Sequence, residues 1–292
     1  MSRPKSRTPE DLVTRLREHL RRLGLTETDE RLDEYLAFAD REHPSHLAWL
    51  ERILGDAAGK CRAQRVERRI NTCGLKVRKT LEAFDWAFQP KLERALVEQL
   101  ATFAFVDRHD DVLVTGKSGT GKSHLLQSLV LKACERELVV RYARSVDLLD
   151  DLYAGLADGS YERRMKRWAR PDLLVIDDVG LGKVKRQGDE PTAAHTLFDL
   201  IDRRHARVST AVTSNLRLSA WGKYLGDATI AAAILDRLAM NAIRIDIDGP
   251  SYRQHVARQR AQAHGAPPEV GEQESVPEGH DESRKGNLMP CP

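Results

Sequence analysis

The pattern of apolar and polar positions changes character twice along this chain. From residue 8 to about residue 70, apolar side chains recur three and four positions apart, the spacing of one helix face. Leu12, Leu16 and Leu20 make one such face, and Leu32, Tyr35, Leu36 and Ala39 a second. Leu47, Leu50, Ile53 and Leu54 make a third. Thr8, Pro9, Glu10 and Asp11 mark the first start: a hydroxyl at the cap, proline where its missing N–H costs nothing, then acids near the positive helix end. The pattern predicts a small helical domain over residues 1–70, serving either packing and spacing or contact with DNA or a partner.

From about Asn71 short apolar runs alternate with helical patterns. Residues 80–86 read as a lead-in segment and 91–103 as a helix. Val112, Leu113, Val114 and Thr115 form a strand, and residues 123–135 a helix. Leu138, Val139 and Val140 with Tyr142 form a second strand, after which Ser145 caps a helix carrying Leu148, Leu149, Leu152 and Leu156. Leu173, Leu174, Val175 and Ile176 are apolar on both faces, as a central parallel strand is. Residues 191–206 read as a helix, 210–213 as a fourth strand and 230–238 as a helix, and Ile243, Ile245 and Ile247 alternate as a fifth strand. Strand–helix alternation of this kind predicts an α/β fold, a three-layer αβα sandwich around a five-stranded parallel sheet, over 71–263. Beyond about 263 the chain is rich in Gly, Pro and Glu, and 264–292 reads as a disordered acidic tail.

Composition adds limits. The length of 292 residues suits one large domain with a small companion. Net charge is only +3, so overall charge makes a weak case for a polyanionic partner. Its distribution says more: Lys60, Arg62, Arg65, Arg68, Arg69, Lys76, Arg78 and Lys79 face the single acid Glu67 in that stretch. The four cysteines form no Cys-x-x-Cys pair, against zinc and thioredoxin-like readings. The N-terminus is polar to Pro9 and no apolar run reaches membrane-spanning length, so a cytoplasmic location is expected.

The candidate chemistry begins where the first strand meets its helix. Gly116, Lys117, Ser118, Gly119, Thr120, Gly121, Lys122 and Ser123 form a complete phosphate-binding loop, with His124 following. Its glycines let backbone N–H groups turn inward around a phosphate, and the helix start adds partial positive charge. Lys122 is placed for the β- and γ-phosphates and the Ser123 hydroxyl for Mg²⁺. The third strand runs into Asp177 and Asp178, the Walker B pattern, with Asp177 as metal ligand and Asp178 where a water-orienting Glu usually stands. A strand between the loop strand and the acid-bearing strand is the arrangement of AAA+ and RecA-like motors, and no Asn-Lys-x-Asp guanine motif occurs, so ATP is favoured over GTP. The fourth strand ends in Thr213, Ser214 and Asn215, where Asn215 either senses the γ-phosphate or turns the chain. Arg237 lies in the next helix, as an arginine finger for a neighbour's ATP or as the ion-pair partner of Asp236. The Arg62, Arg65, Arg68 and Arg69 stripe reads as a DNA-backbone contact or a solvated helix face. The basic stretch with Lys183, Lys185 and Arg186 reads as a DNA-facing loop or a solvated turn.

These motifs together resemble the IstB-like family, the transposition helper ATPases of insertion sequences. The resemblance runs over about 62–253: the lead-in at 79–85, the loop with His124, the strand through Asp177 and Asp178 to Gly180, Thr213–Ser214–Asn215 with Trp221, Asp236 with Arg237, and an ending of Gly249, Pro250, Ser251, Tyr252 and Arg253. It implies an AAA+ protein of the initiator and helicase-loader clade that binds ATP and Mg²⁺, hydrolyses ATP, assembles as a homo-oligomer on double-stranded DNA and delivers target DNA to a partner transposase, with Arg253 as a second sensor. Replicative helicase loaders of the DnaC type share most of these motifs and are the alternative. A small-molecule kinase would need an acceptor site and lid arginines, which the sequence does not identify.

Overall fold

The structure, a computed structural model, describes residues 8–180 and 192–263. Lys183, Lys185, Arg186 and the 264–292 tail lie outside the described residues. Two compact units divide the chain, Met1–Ser251 and Tyr252–Pro292. The second contributes one described helix, α13 (Tyr252–Ala263), which carries Arg253. The remaining elements belong to the first unit.

Helices open it: α1 (Pro9–Arg22), α2 (Thr26–Glu30), α3 (Leu32–Glu42) and α4 (His46–Thr72). Thr8 caps α1 as expected, its hydroxyl accepting the Asp11 N–H at 3.3 Å. The apolar faces read from spacing are only partly core. Leu20, Leu32 and Tyr35 are buried, whereas Leu12, Leu16, Leu47, Leu50 and Leu54 are exposed. Polar contacts hold the helices instead. Asp29, nearly buried, accepts from Arg17 and Arg21, and Tyr35 Oη donates to Asp56 at 2.8 Å. The third apolar pattern extends into the 27-residue α4, which carries the arginine stripe toward the sheet.

The sheet is wholly parallel, in the order β2-β3-β4-β1-β5: β1 (Asp111–Gly116), β2 (Val140–Arg144), β3 (Leu173–Val179), β4 (Ser209–Ser214) and β5 (Ala242–Ile247). α5 (Arg94–Leu100) and α6 (Ala104–Asp107) precede β1, and between the strands run α7 (Lys122–Glu135), α8 (Ser145–Ala157), α9 (Tyr161–Ala169), α10 (Ala193–Arg204), α11 (Trp221–Leu225) and α12 (Ala228–Ala239). Both faces of the sheet are covered, which explains its apolar strands. Val112, Val114 and Val175 pack on the α7 side with Leu125, Leu126 and Leu129; Leu113, Leu174 and Ile176 pack on the other with Leu148, Leu152 and Leu200. The expected three-layer αβα sandwich is observed.

Three local expectations change. The strand that lies between β1 and β3 in sequence, β2, sits at the sheet edge; the strand between them in space is β4, which brings the end of β4 beside both the loop and the acids. The helix expected over 91–103 is broken, because Phe103 adopts a left-handed conformation (φ 59°) and starts the separate turn of α6. Ser145 is the first residue inside α8 and caps nothing: its hydroxyl donates to Asp178 O at 3.1 Å, joining α8 to the acids at the end of β3.

The segment after α4 closes the outer edge of β2, where Tyr142 N–H donates to Cys73 O at 2.7 Å. Gly74 follows at φ 101°, and a Cβ there would stand 2.3 Å from Tyr142 O, so only glycine passes. Among the described residues no helix is long and apolar enough to cross a membrane.

Candidate active site

The site forms where the C-terminal ends of β1, β3 and β4 meet the start of α7, the usual location of ligands in open parallel sheets. The loop from Gly116 to Lys122 must fold tightly against β5. A Cβ on Gly116 (φ 143°) would lie 2.4 Å from Ile247 O, and one on Gly121 (φ 100°) 2.9 Å from the Phe84 ring. Lys117 and Ser118 are exposed at the loop tip, and the buried Thr120 hydroxyl donates to Lys117 O at 2.9 Å. Lys122 is 3% exposed. Its Nζ donates to Gly116 O at 2.8 Å and Lys117 O at 2.7 Å, so the ammonium already sits in the mouth of the loop. His124 turns its ring the other way: Nε2 lies 2.8 Å from Thr80 O, the ring meets Phe84 edge-on, and burial holds its pKa below the usual histidine value. The lead-in segment is thereby fastened to the first turn of α7.

The two acids sit on a β-bulge. Ile176 pairs with Val212 and Val179 with Ser214, so Asp177 and Asp178 together face the single residue Thr213. Thr213 serves both: its hydroxyl donates to Asp177 Oδ1 in a short hydrogen bond and accepts the Asp178 N–H at 2.8 Å. Asp178 takes the left-handed conformation (φ 58°) that the bulge requires. Aspartate tolerates this conformation better than longer side chains do, which gives a physical reason for Asp where a glutamate usually stands. Asn215 Nδ2 donates to Asp178 Oδ1 at 3.4 Å.

Asp177 is 2% exposed and fully engaged. Ser123 Oγ donates to Oδ1 at 3.0 Å, and Tyr142 Oη to Oδ2 at 2.5 Å. Tyr142 in turn accepts from Gln127 Nε2 at 2.9 Å. Burial and the neighbouring Asp177 raise the Tyr142 pKa, keeping the phenol protonated as a donor. Tyr142 and Gln127 are site residues that sequence reading missed. Tyr142 was legible only as a strand residue, since the pairing of β2 with β3 brings it to Asp177. Behind them Trp221, fully buried, donates Nε1 to Ser214 Oγ at 3.2 Å and fixes the end of β4.

The structure thus gathers Lys122, Ser123, Asp177, Asp178 and Asn215, and leaves Arg237 outside this group. Arg237 Nε donates to Asp202 Oδ1 at 2.7 Å, the guanidinium stacks 4.4 Å over the Phe198 ring, and Asp236 is not its ion-pair partner. Arg62 and Arg65 each lie 3.6 Å from Glu137, and Arg69 donates to Leu138 O at 3.0 Å, so these arginines lean on the turn that ends α7.

Thr213→Val is expected to lower stability by about 1–3 kcal/mol, because the isosteric change leaves Asp177 Oδ1 and the Asp178 N–H without this shared partner. Thermal unfolding measures the loss; an unchanged midpoint would show that the bulge holds without it.

The sequence profile of the IstB-like ATP binding proteins matches residues 18–262. The chain belongs to that family. An insertion-sequence ATP-binding protein of Geobacillus stearothermophilus is 31% identical over 239 residues, covering 82% of this chain and 93% of the relative. One of Sinorhizobium fredii is 34% identical over 239 residues, covering 82% and 96%. Among solved structures, AMPPCP-bound DnaA from Aquifex aeolicus aligns with 66% of this chain and 57% of its own at TM-score 0.49 and 19% identity. The family is described as ATP-binding, and in this chain the Ser123 end of the phosphate loop meets Asp177 of β3 at 3.0 Å.

Proposed function

We propose that this IstB-like chain hydrolyses ATP, assembles with copies of itself on double-stranded DNA, and delivers target DNA to a partner transposase. The observation that carries the hydrolytic part is the convergence of Ser123, Thr213 and Tyr142 on Asp177, directly beside a loop that holds Lys122. The donor set fits Mg²⁺. Ser123 Oγ and Asp177 Oδ1 are hard oxygens 3.0 Å apart. Among the described residues no group of three or more His, Cys, Asp or Glu converges. One or two protein oxygens, with phosphates and water completing the shell, is how Mg²⁺ is usually held. Bound there, Mg²⁺ supplies charge neutralisation at the β- and γ-phosphates.

The chain's own residues do the rest. Backbone N–H groups from Gly116 to Ser123 surround the phosphates, with the His124 N–H at the helix start behind them. Lys122 exchanges its loop carbonyls for phosphate oxygens. Asp178 orients the attacking water, and Asn215, already bonded to Asp178, reports whether a γ-phosphate is present. Arg237 acts on a neighbour's ATP. Its contacts on α10 and α12 support this reading, since they hold the guanidinium outside its own site with 28% of the side chain exposed. Arg253 is kept as a second sensor on resemblance alone.

Arg237→Ala is expected to cut ATP turnover of the assembled protein by about three orders of magnitude, the worth of an arginine finger. ATP affinity of the separate chain should change less than twofold. Turnover of the assembly that survives the substitution would remove Arg237 from the mechanism.

For DNA, Arg62, Arg65 and Arg68 are the exposed members of the stripe, and Arg69 anchors α4. Three phosphate contacts predict that raising salt from about 50 to 200 mM weakens duplex binding roughly 40-fold, from a slope of about −0.9 per phosphate. Replacing all three by alanine should flatten that dependence. ATP-dependent assembly on duplex DNA, followed in both salts, tests the function as a whole; an affinity indifferent to salt would overturn the backbone contact.

A further inference from the structure

A second cavity, of about 410 Å³, opens on the outer side of β2, between the segment that follows α4 and the start of α8. Its volume falls within the range of small-ligand sites, about 300–1,000 Å³. It does not include the phosphate loop, yet it touches the active site from behind, because Tyr142 and Gln127 line it. These are the two residues that lead by hydrogen bonds to Asp177.

The charges around this cavity fall into two groups. Arg144 is neutralised by a two-pronged pair with Asp147, and Arg167 by Asp151. Lys76 and Lys79 form no ion pair or hydrogen bond with any described residue. Both lysines line the opening, and the Lys76 charge also acts on Asp147. Deeper in, Gln127 spends its Nε2 on Tyr142, whose hydroxyl donates onward to Asp177, so its amide orientation is set by the chain of donors. Its Oε1 is buried with no donor to meet it. A buried acceptor of this kind costs about 1–3 kcal/mol unless something satisfies it.

A ligand that answers this lining carries a phosphate for the lysines and, at some distance, an N–H or O–H for Gln127. A nucleotide unit carries both: its phosphate at one end, and a base amino group, ring N–H or sugar hydroxyl at the other. Inorganic phosphate leaves most of the volume empty. We propose that this cavity is a second site for a nucleotide unit, distinct from the 116–123 loop, and that its occupant acts on Asp177 through Gln127 and Tyr142. A donor arriving at Oε1 polarises the Gln127 amide and strengthens the Nε2–H···Oη bond, since linked hydrogen bonds reinforce one another. The Tyr142 hydroxyl is then held more firmly toward Asp177. A free mononucleotide and one residue of a DNA strand offer the same groups. The inference needs neither the hydrolytic nor the DNA-delivery role proposed above.

The test uses the full chain, its phosphate loop filled by one equivalent of AMPPCP with Mg²⁺. Equilibrium dialysis is run with deoxyadenosine monophosphate and, separately, with a short single-stranded oligodeoxynucleotide. One additional site per chain is expected. The double variant Lys76→Glu, Lys79→Glu should weaken it at least tenfold while leaving AMPPCP affinity within twofold, which also shows that the variant is folded. Binding of the mononucleotide assigns the site to free nucleotide, and binding of the strand alone assigns it to DNA. A site found with neither probe, or one indifferent to the lysine reversal, overturns the proposal. The link to Asp177 is read from Mg–ATP affinity and turnover. The bound probe should shift one of them at least threefold in the wild type and leave both unmoved in Tyr142→Phe. A probe that binds and shifts neither overturns the link.

Discussion

Replacing Lys122 with alanine is expected to weaken ATP binding by about two to three orders of magnitude. The ammonium is 3% exposed and donates to two loop carbonyls, Gly116 O and Lys117 O. It is held at the mouth of the loop with its desolvation and side-chain ordering already incurred by folding. Removing one partner of a buried, charge-assisted pair costs about 2–5 kcal/mol, and each 1.4 kcal/mol is tenfold in affinity. The same substitution leaves both carbonyls short of a donor, so the empty loop loses stability as well. Calorimetric titration with ATP, with thermal unfolding as a control for the fold, measures both. An alanine variant that keeps wild-type affinity would sink the assignment of the loop.

The largest expected effect on folding lies elsewhere, at Arg204. This side chain is 0% exposed, at the end of α10. Its guanidinium donates to the carbonyls of Trp168, Ala169, Pro171 and Ser209 and to the Thr210 hydroxyl. Burial lowers its pKa below the usual arginine range, while Asp111 and Asp172 oppose that shift. Asp111 is in turn pushed up to about 6 by burial, and it accepts the Thr210 N–H at 2.7 Å. The arginine thus ties the end of α9, the end of α10 and the start of β4 into one piece. Arg204→Leu matches its apolar volume but strands several buried acceptors, and a loss of about 3–5 kcal/mol is expected. Chemical denaturation gives the number. A loss below about 1 kcal/mol would mean that water replaces the guanidinium at no cost.

Neither effect is visible in the same way from the sequence. Lys122 was legible because the loop is local: eight consecutive residues, a strand before and a helix after, carry all the geometry that a phosphate needs. Asp177 and Asp178 were legible for a similar reason, as a run of apolar strand residues ending in acids. Arg204 looked like any basic residue in the last turn of a helix, where the helix dipole alone would explain it. Its five acceptors come from segments 5 to 36 residues away, and no periodicity encodes them.

What the sequence determined by itself, then, is whatever depends on neighbours along the chain. The alternation of strands and helices, the apolar β3, the glycines of the loop, the cap at Thr8 and the kinship with IstB-like proteins are of this sort. Tertiary structure decided whatever depends on which strands lie side by side. It placed β4 rather than β2 between the loop and the acids, so that one hydroxyl, Thr213, serves both carboxylate-bearing residues. It set the bulge that turns Asp178 into a left-handed conformation, and it carried Tyr142 across from the edge strand to Asp177. It also bent the arginine stripe of α4 partly inward, toward Glu137 and Leu138. The reason is the same in each case. A hydrogen bond between strands depends on register and order in the sheet, which are set by the packing of the whole core and not by any short stretch of residues.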